Sequence, residues 1–366
     1  MTEQEFIPKD PYPNKLEKGS CSWQSPSNIA LVKYWGKREG QLPENPSISF
    51  TLNNCFTTTR LEFELKASEV AGEEDFEFEL FFEGEEKEDF RPKVNTFFKR
   101  IEKYCPFLRA YRFTIYTENS FPHSSGIASS ASGMSALALC VVGLEKQLDA
   151  SEEKNEDFYK RKASFLARLG SGSACRSIDG DLVVWGEHEK VEGSSDLYGI
   201  PYPGKVHEIF KDFQDSILLV DRGTKQVSSS VGHNLMYGHP FAEARFVQAR
   251  ENLHKLQPIL ESGDLDAFIE IVESEALSLH AMMMSSKPYF ILIKPNTLQI
   301  INKIWEFRRE KGVPVCFTLD AGANVHVLYP AENKDEVSEF VKNELVAYCE
   351  NGHYICDRVG SGAKNL

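Results

Sequence analysis

No stretch of this 366-residue chain holds enough consecutive apolar residues to cross a bilayer, and residues 1–20 are polar, with no apolar segment of the kind that opens a secretory leader. Basic residues are outnumbered: 41 Lys and Arg against 55 Asp and Glu leave a net charge of −14. That excludes the broad basic footprint of a general nucleic-acid binder. Much of the excess is local, because residues 71–90 carry −9 and the remainder only −5. The eight cysteines are scattered and contain no C-x-x-C pair, which reads as reduced thiols in a cytoplasmic protein rather than a disulfide framework. The nine histidines form no ligand pair at helical spacing, so no resident metal site is expected. Walker A, G-x-G-x-x-G and G-x-S-x-G strings are all missing. With 41% apolar and 26% charged residues, what remains is an ordered globular chain long enough for two domains.

Residues 1–19 read as a loose N-terminal extension. Ser27–Glu64 reads as strands and turns, and the alternation of acidic and apolar residues over 74–82 as a half-buried strand with a solvated face. The apolar run Ala136–Leu144 continues a Ser/Gly loop into a buried helix. Ser151–Leu169 is amphipathic, with Ser151 as its expected cap and Gly170 as its stop. The Pro/Gly-rich stretch Tyr198–Lys205 marks an expected division into domains 20–205 and 206–366. Helices are expected over Phe241–Leu260, Leu265–His280, Thr297–Lys311 and Glu336–Tyr348, with strands at Asp215–Val220, Val313–Leu319, Val325–Tyr329 and His353–Arg358. Strand pairs mixed with helices favour an α+β fold over a doubly wound sheet.

Four segments can carry chemistry. In Phe121-Pro-His-Ser-Ser-Gly-Ile-Ala-Ser-Ser-Ala-Ser-Gly133, small residues let backbone N–H groups approach a ligand, hydroxyls add donors, and the loop opens a helix, so the segment suits an anion and most often phosphate. In Ser27-Asn-Ile-Ala-Leu-Val-Lys-Tyr-Trp-Gly-Lys37, Lys33 and Lys37 flank two aromatics and a glycine, and lysine suits phosphate as a point charge. Gly170-Ser-Gly-Ser-Ala-Cys-Arg-Ser177 presents Arg176, whose planar fork matches a carboxylate or phosphate. Asp320-Ala-Gly-Ala-Asn324 joins two apolar strands, where a lone Asp is more often a turn former than a catalyst.

Taken together, the K-Y-W-G-K string, the Pro122–Gly133 loop, G-S-G-S-A-C-R and the Asp320 turn resemble, in order and spacing, the diphosphomevalonate decarboxylase family, within the wider group of small-molecule kinases. The resemblance covers nearly everything from Ser25 to Leu366. It implies a two-domain α+β kinase fold, with a ribosomal S5 domain 2-like N-terminal domain, a ferredoxin-like C-terminal domain and the active site in the cleft. It also implies ATP-dependent decarboxylation of mevalonate 5-diphosphate to isopentenyl diphosphate, through phosphorylation of the 3-hydroxyl, with ATP and Mg²⁺ and as a homodimer. Carried over residue by residue, Asp320, Lys33 and Arg176 are catalytic. Asn28, Tyr34, Trp35, Gly36, Lys37, Ser171, Gly172, Ser173, Ala174, Cys175 and Ser230 bind substrate. Ser124, Gly126, Ser129, Ser130 and Ser132 cradle ATP. Glu79 falls near a position where some relatives place a diphosphate-binding arginine. A mevalonate or phosphomevalonate kinase or decarboxylase of the same fold, and a catalytically silent ligand sensor, are the alternatives.

Overall fold

The computed structural model describes residues 1–67, 76–122, 127–149, 154–221 and 229–366, with side chains omitted at 229 and 230. Two sheets organise the chain. The larger is built on two long antiparallel strands, β1 (Lys18–Val32) and β2 (Ser47–Leu65). Along the outer half of β2, Cys55, Thr57, Thr59, Leu61 and Phe63 point inward and alternate with more exposed residues, the period of a strand with one covered face. The inner half, Ser47–Leu52, is buried on both faces because the second half of the molecule packs against it. β3 (Phe78–Phe82) lies parallel to β4 (Tyr111–Asn119), and β4 runs antiparallel to β2. Helices α1 (Arg91–Ile101), α2 (Ser129–Leu148) and α3 (Glu156–Gly170) contribute to the core over this sheet. α2 is apolar on nearly all sides and is accordingly buried along nearly its whole length.

Beyond β5 (Leu182–Trp185), which pairs with the inner half of β2, the chain enters the second sheet at β6 (Gln214–Leu218). The helices that follow are α4 (Ser229–Asn234), α5 (Ala242–Ser262), α6 (Leu265–Ser285) and α7 (Pro295–Lys311). Then come β7 (Cys316–Thr318), β8 (Val325–Tyr329), α8 (Lys334–Phe340) and β9 (Tyr354–Arg358), with sheet order β7-β8-β6-β9 and all pairs antiparallel. Two features cross a division at 205/206. One core unites Ile48 and Phe50 with Phe213, Leu253 and Phe268. The last strand, β10 (Lys364–Asn365), returns to pair with β1 at Trp23 and Gln24.

Three local readings differ from the structure. Ser151 lies outside the described residues, and α3 is capped instead by Asn155, whose side chain accepts the Phe158 N–H at 2.9 Å. The helix expected at Glu336–Tyr348 is α-helical only to Phe340 and continues as a π turn over Val341–Leu345. The N-terminal extension is not loose: Phe6 is 1% exposed and stacks on Phe165 of α3, with ring centroids 4.7 Å apart. Tyr12 donates to Glu145 of α2, which also takes the buried Lys162 ammonium at 2.6 Å. Of the eight cysteines, all free, only Cys356 is exposed.

Candidate active site

β1 ends at Val32, and the next residue, Lys33, is turned toward Asp320 with 2% of its side chain exposed. Its backbone is clamped on both sides: its N–H donates to Glu275 Oε2 at 2.8 Å, and its carbonyl accepts Asn45 Nδ2 at 2.9 Å. Glu275, on α6, is itself buried and gripped by both guanidinium nitrogens of Arg245 and by Asn252 Nδ2 at 2.7 Å. These contacts fix the direction of the lysine side chain. The Lys33 ammonium then meets Asp320 Oδ1 at 3.2 Å. Burial pulls the Lys33 pKa below its ordinary value, against the opposing pull of Asp320 and Glu275. Asp320 follows β7 in the turn that leads to β8, and its carbonyl accepts His280 Nε2 from α6 at 3.1 Å. Its carboxylate keeps 28% exposure, so the acid opens to the cleft while the lysine does not.

Arg176 is 3% exposed and takes neutral partners: Ser49 Oγ at 2.9 Å, Ser47 Oγ at 2.5 Å and Asn28 Oδ1 at 3.4 Å. No carboxylate pairs with it among the described residues. A buried guanidinium without a counter-ion is costly in the free protein and is therefore ready to take an anion. Asn28 also ties the turn down, donating to Ser177 Oγ at 2.8 Å and to the Ser173 carbonyl at 3.2 Å.

Tyr34 lies between Trp185 and His233, with ring centroids 4.6 and 4.3 Å away, and its hydroxyl so crowds Gly172 that a Cβ there would sit 2.9 Å from it. Gly36 adopts φ +95°, and a Cβ on it would meet the Phe246 ring at 2.9 Å. Lys37, at the end of the string, has its pKa lowered by burial and by the charge of Arg100.

The Ser/Gly loop enters α2 through Ala128 in the left-handed region, φ 45°, and no side chain caps the helix among the described residues. Ser130 Oγ is 3.5 Å from Ser171 Oγ, so the loop and the Gly170–Arg176 turn meet. Beside them a largely apolar cavity of about 270 Å³ is lined by Leu80, Phe82, Phe90, Lys93, Met134 and Ser130, among others.

The structure thus brings Lys33, Asp320, Arg176, Asn28, Tyr34, Ser171 and Ser173 to one cleft, with Ser129 and Ser130 at its edge. Several expected ligand residues have partners within the protein. The Ser132 hydroxyl is fully buried against Thr57 Oγ1 at 2.6 Å. Trp35 packs with Met236, Leu279 and Met283, and Ala174 belongs to the N-terminal core. The Cys175 thiol bonds the Gly172 carbonyl, and burial pushes its pKa up to about 12. Ser124 and Gly126 lie outside the described residues, as does the side chain of Ser230. Glu79 is exposed on the strand face opposite Leu80 and Phe82, the two that line the cavity. Sequence reading missed Ser47, Ser49, Glu275, His280, Arg245 and His233. The first two carry a signal, since serines at i and i+2 share the face of β2 opposite the apolar Ile48 and Phe50.

Residues 25–197 match the model of the diphosphomevalonate decarboxylase-like N-terminal domain, and residues 216–360 that of the mevalonate 5-diphosphate decarboxylase C-terminal domain. The diphosphomevalonate decarboxylase of Ganoderma lucidum is 31% identical over 87% of this chain and 80% of its own length. The phosphomevalonate decarboxylase of Haloferax volcanii is 28% identical over 85% and 88%. The solved structure of MDDEF in complex with MVAPP, AMPPCP and magnesium superposes with a TM-score of 0.79 at 26% identity, covering 95% of this chain and 99% of that one. With both halves matched in order and relatives aligned along most of their length, the chain belongs to the diphosphomevalonate decarboxylase family.

Proposed function

We propose that this protein converts mevalonate 5-diphosphate and ATP to isopentenyl diphosphate, ADP, phosphate and carbon dioxide. One observation carries the reading. A Lys33–Asp320 pair 3.2 Å apart shares a cleft with Arg176, a buried cation that lacks a carboxylate partner among the described residues. The reaction needs those three functions. A tertiary hydroxyl is a poor leaving group, so it is phosphorylated first, a step that depends on positioning and charge neutralisation. Asp320 orients the 3-hydroxyl and accepts its proton, and Lys33 holds that carboxylate and stabilises the incoming phosphoryl group. Arg176 grips the carboxylate of the substrate. When the C–C bond breaks, its electron pair forms the new double bond and the phosphate departs from the adjacent carbon.

ATP fits the uncapped start of α2, with Ser129 and Ser130 on the phosphates and the cavity beside Lys93 and Phe90 for the base. Among the described residues no cluster of three acidic, His or Cys side chains is placed to hold a metal ion, so Mg²⁺ fits here as a companion of the nucleotide phosphates, whose charge it neutralises when bound. Lys37, with Arg100 close enough to depress its pKa, gives the phosphate end two cations, which suits a diphosphate. We place the enzyme in the cytoplasm, which its seven buried free thiols suit, and as a homodimer by family likeness.

Product analysis tests the proposal. Incubation with ATP, Mg²⁺ and mevalonate 5-diphosphate is expected to release ADP and carbon dioxide in equal amounts, with the monophosphate turned over far more slowly. ADP without stoichiometric carbon dioxide would make the protein a kinase of the same fold.

A further inference from the structure

His233, on the short helix α4, is held on three sides. Its Nδ1 accepts the Gly36 N–H at 3.0 Å, and its ring lies against those of Tyr34 and Trp35, with centroids 4.3 and 4.5 Å away. The first contact fixes the tautomer: with Nδ1 an acceptor, the proton of the neutral imidazole sits on Nε2. Burial, helped by the charges of Lys37 and then Arg176, pushes the ring pKa down to about 3, so it stays neutral at working pH. Nε2–H therefore remains a donor, and among the described residues no protein atom accepts from it. The residue as a whole is 8% exposed. A nearly buried donor without an acceptor costs free energy that a ligand acceptor recovers. Its surroundings indicate the ligand group. Its anchor, Gly36, precedes Lys37, and of the two cations that depress the ring, Lys37 weighs more than Arg176.

We propose that His233 is a substrate-binding residue whose Nε2–H donates to a phosphoryl oxygen at the phosphate end of the substrate, beside Lys37. The inference rests on the decarboxylase reading for the identity of that substrate, but the contact itself can be measured without turnover.

Two substitutions separate the two edges of the ring. His233→Asn retains an oxygen where Nδ1 accepts from Gly36 and loses the distal donor. His233→Gln retains a distal N–H and loses the acceptor. For His233→Asn we expect thermal stability near that of the wild type, an unchanged KM for ATP, and a KM for mevalonate 5-diphosphate raised roughly ten- to hundredfold, the range of one hydrogen bond to a charged group. His233→Gln should be the less stable protein but keep most of the substrate affinity. Calorimetric binding of inorganic diphosphate to the full chain, with ADP saturating the nucleotide loop, should weaken by a similar factor in the Asn variant. An Asn variant with unchanged KM and unchanged diphosphate affinity overturns the proposal. A raised KM with unchanged diphosphate affinity also overturns it, because the donor then serves another part of the substrate. If the Asn substitution weakens diphosphate binding in a protein whose wild type releases no carbon dioxide, the contact stands and the decarboxylase reading fails.

Discussion

Asp320 and Lys33 form an asymmetric pair: the acid keeps 28% of its side chain in the cleft and the ammonium 2%. The carboxylate is thus the more open member, and the lysine is the buried charge that fixes it. Asp320→Asn is nearly isosteric and retains an oxygen for the Lys33 ammonium, but it cannot take up the hydroxyl proton. A positioned acid–base group contributes about 10²–10⁴-fold, and kcat should fall by that factor while nucleotide affinity, measured by equilibrium binding, is kept. A variant within about threefold of wild-type kcat would remove Asp320 from proton transfer. At this scale the sequence revealed residue types but not their partners. Asp320 in a strand-to-strand turn reads more readily as a turn former, and its approach to a lysine 287 residues away is not visible in the sequence. Arg176 was legible as a candidate fork, whereas its hydrogen bonds to neutral partners only, among the described residues, are a property of the packed interior, which sequence pattern does not encode.

Among the elements, α6 works as the spine of the site. Glu275 clamps the Lys33 backbone and His280 the Asp320 backbone, so one helix sets both members of the pair. Its helical period was readable, but the roles of its buried Glu275 and His280 were not, because their partners come from Lys33, α5 and the β7–β8 turn. Local signals were reliable where short-range physics decides: the apolar run of α2, and Gly312 in the left-handed region at the stop of α7. They failed for the N-terminal extension, which has no periodicity because it docks by single insertions. Phe6 stacks on Phe165 of α3, the helix that ends at Gly170 and hands the chain to the Arg176 turn. Phe6→Ala should cost about 3–5 kcal/mol of stability, as for other fully buried phenylalanines, read as a shift of the urea midpoint. A loose extension would leave that midpoint unmoved.

For the whole molecule, the two halves are joined by a shared core, and beside the Lys33–Asp320 pair lies a buried histidine whose protonation the fold resists. Burial and the Lys33 charge push His280 down to about 4, against an ordinary value of 6.5. Its folded-state pKa is therefore depressed, and between pH 6.5 and 4 the unfolded chain binds a proton that the folded protein refuses. Stability from this group is complete above the unfolded pKa and is lost as pH falls toward the folded one. At about 1.4 kcal/mol per pH unit, His280 alone withdraws about 2 kcal/mol between pH 7 and pH 5. Asp215 works in the opposite sense, since burial raises its carboxyl above 3.8. The effect of His280 is best isolated as a difference. His280→Gln retains an N–H for the Asp320 carbonyl but cannot titrate, and every other group in the two proteins stays the same. Urea unfolding at pH 7 and pH 5 should show the wild type losing about 2 kcal/mol more than the variant across that interval. Equal losses would mean that His280 titrates alike in the folded and unfolded chains, and the acid sensitivity of the cleft would then have to arise elsewhere.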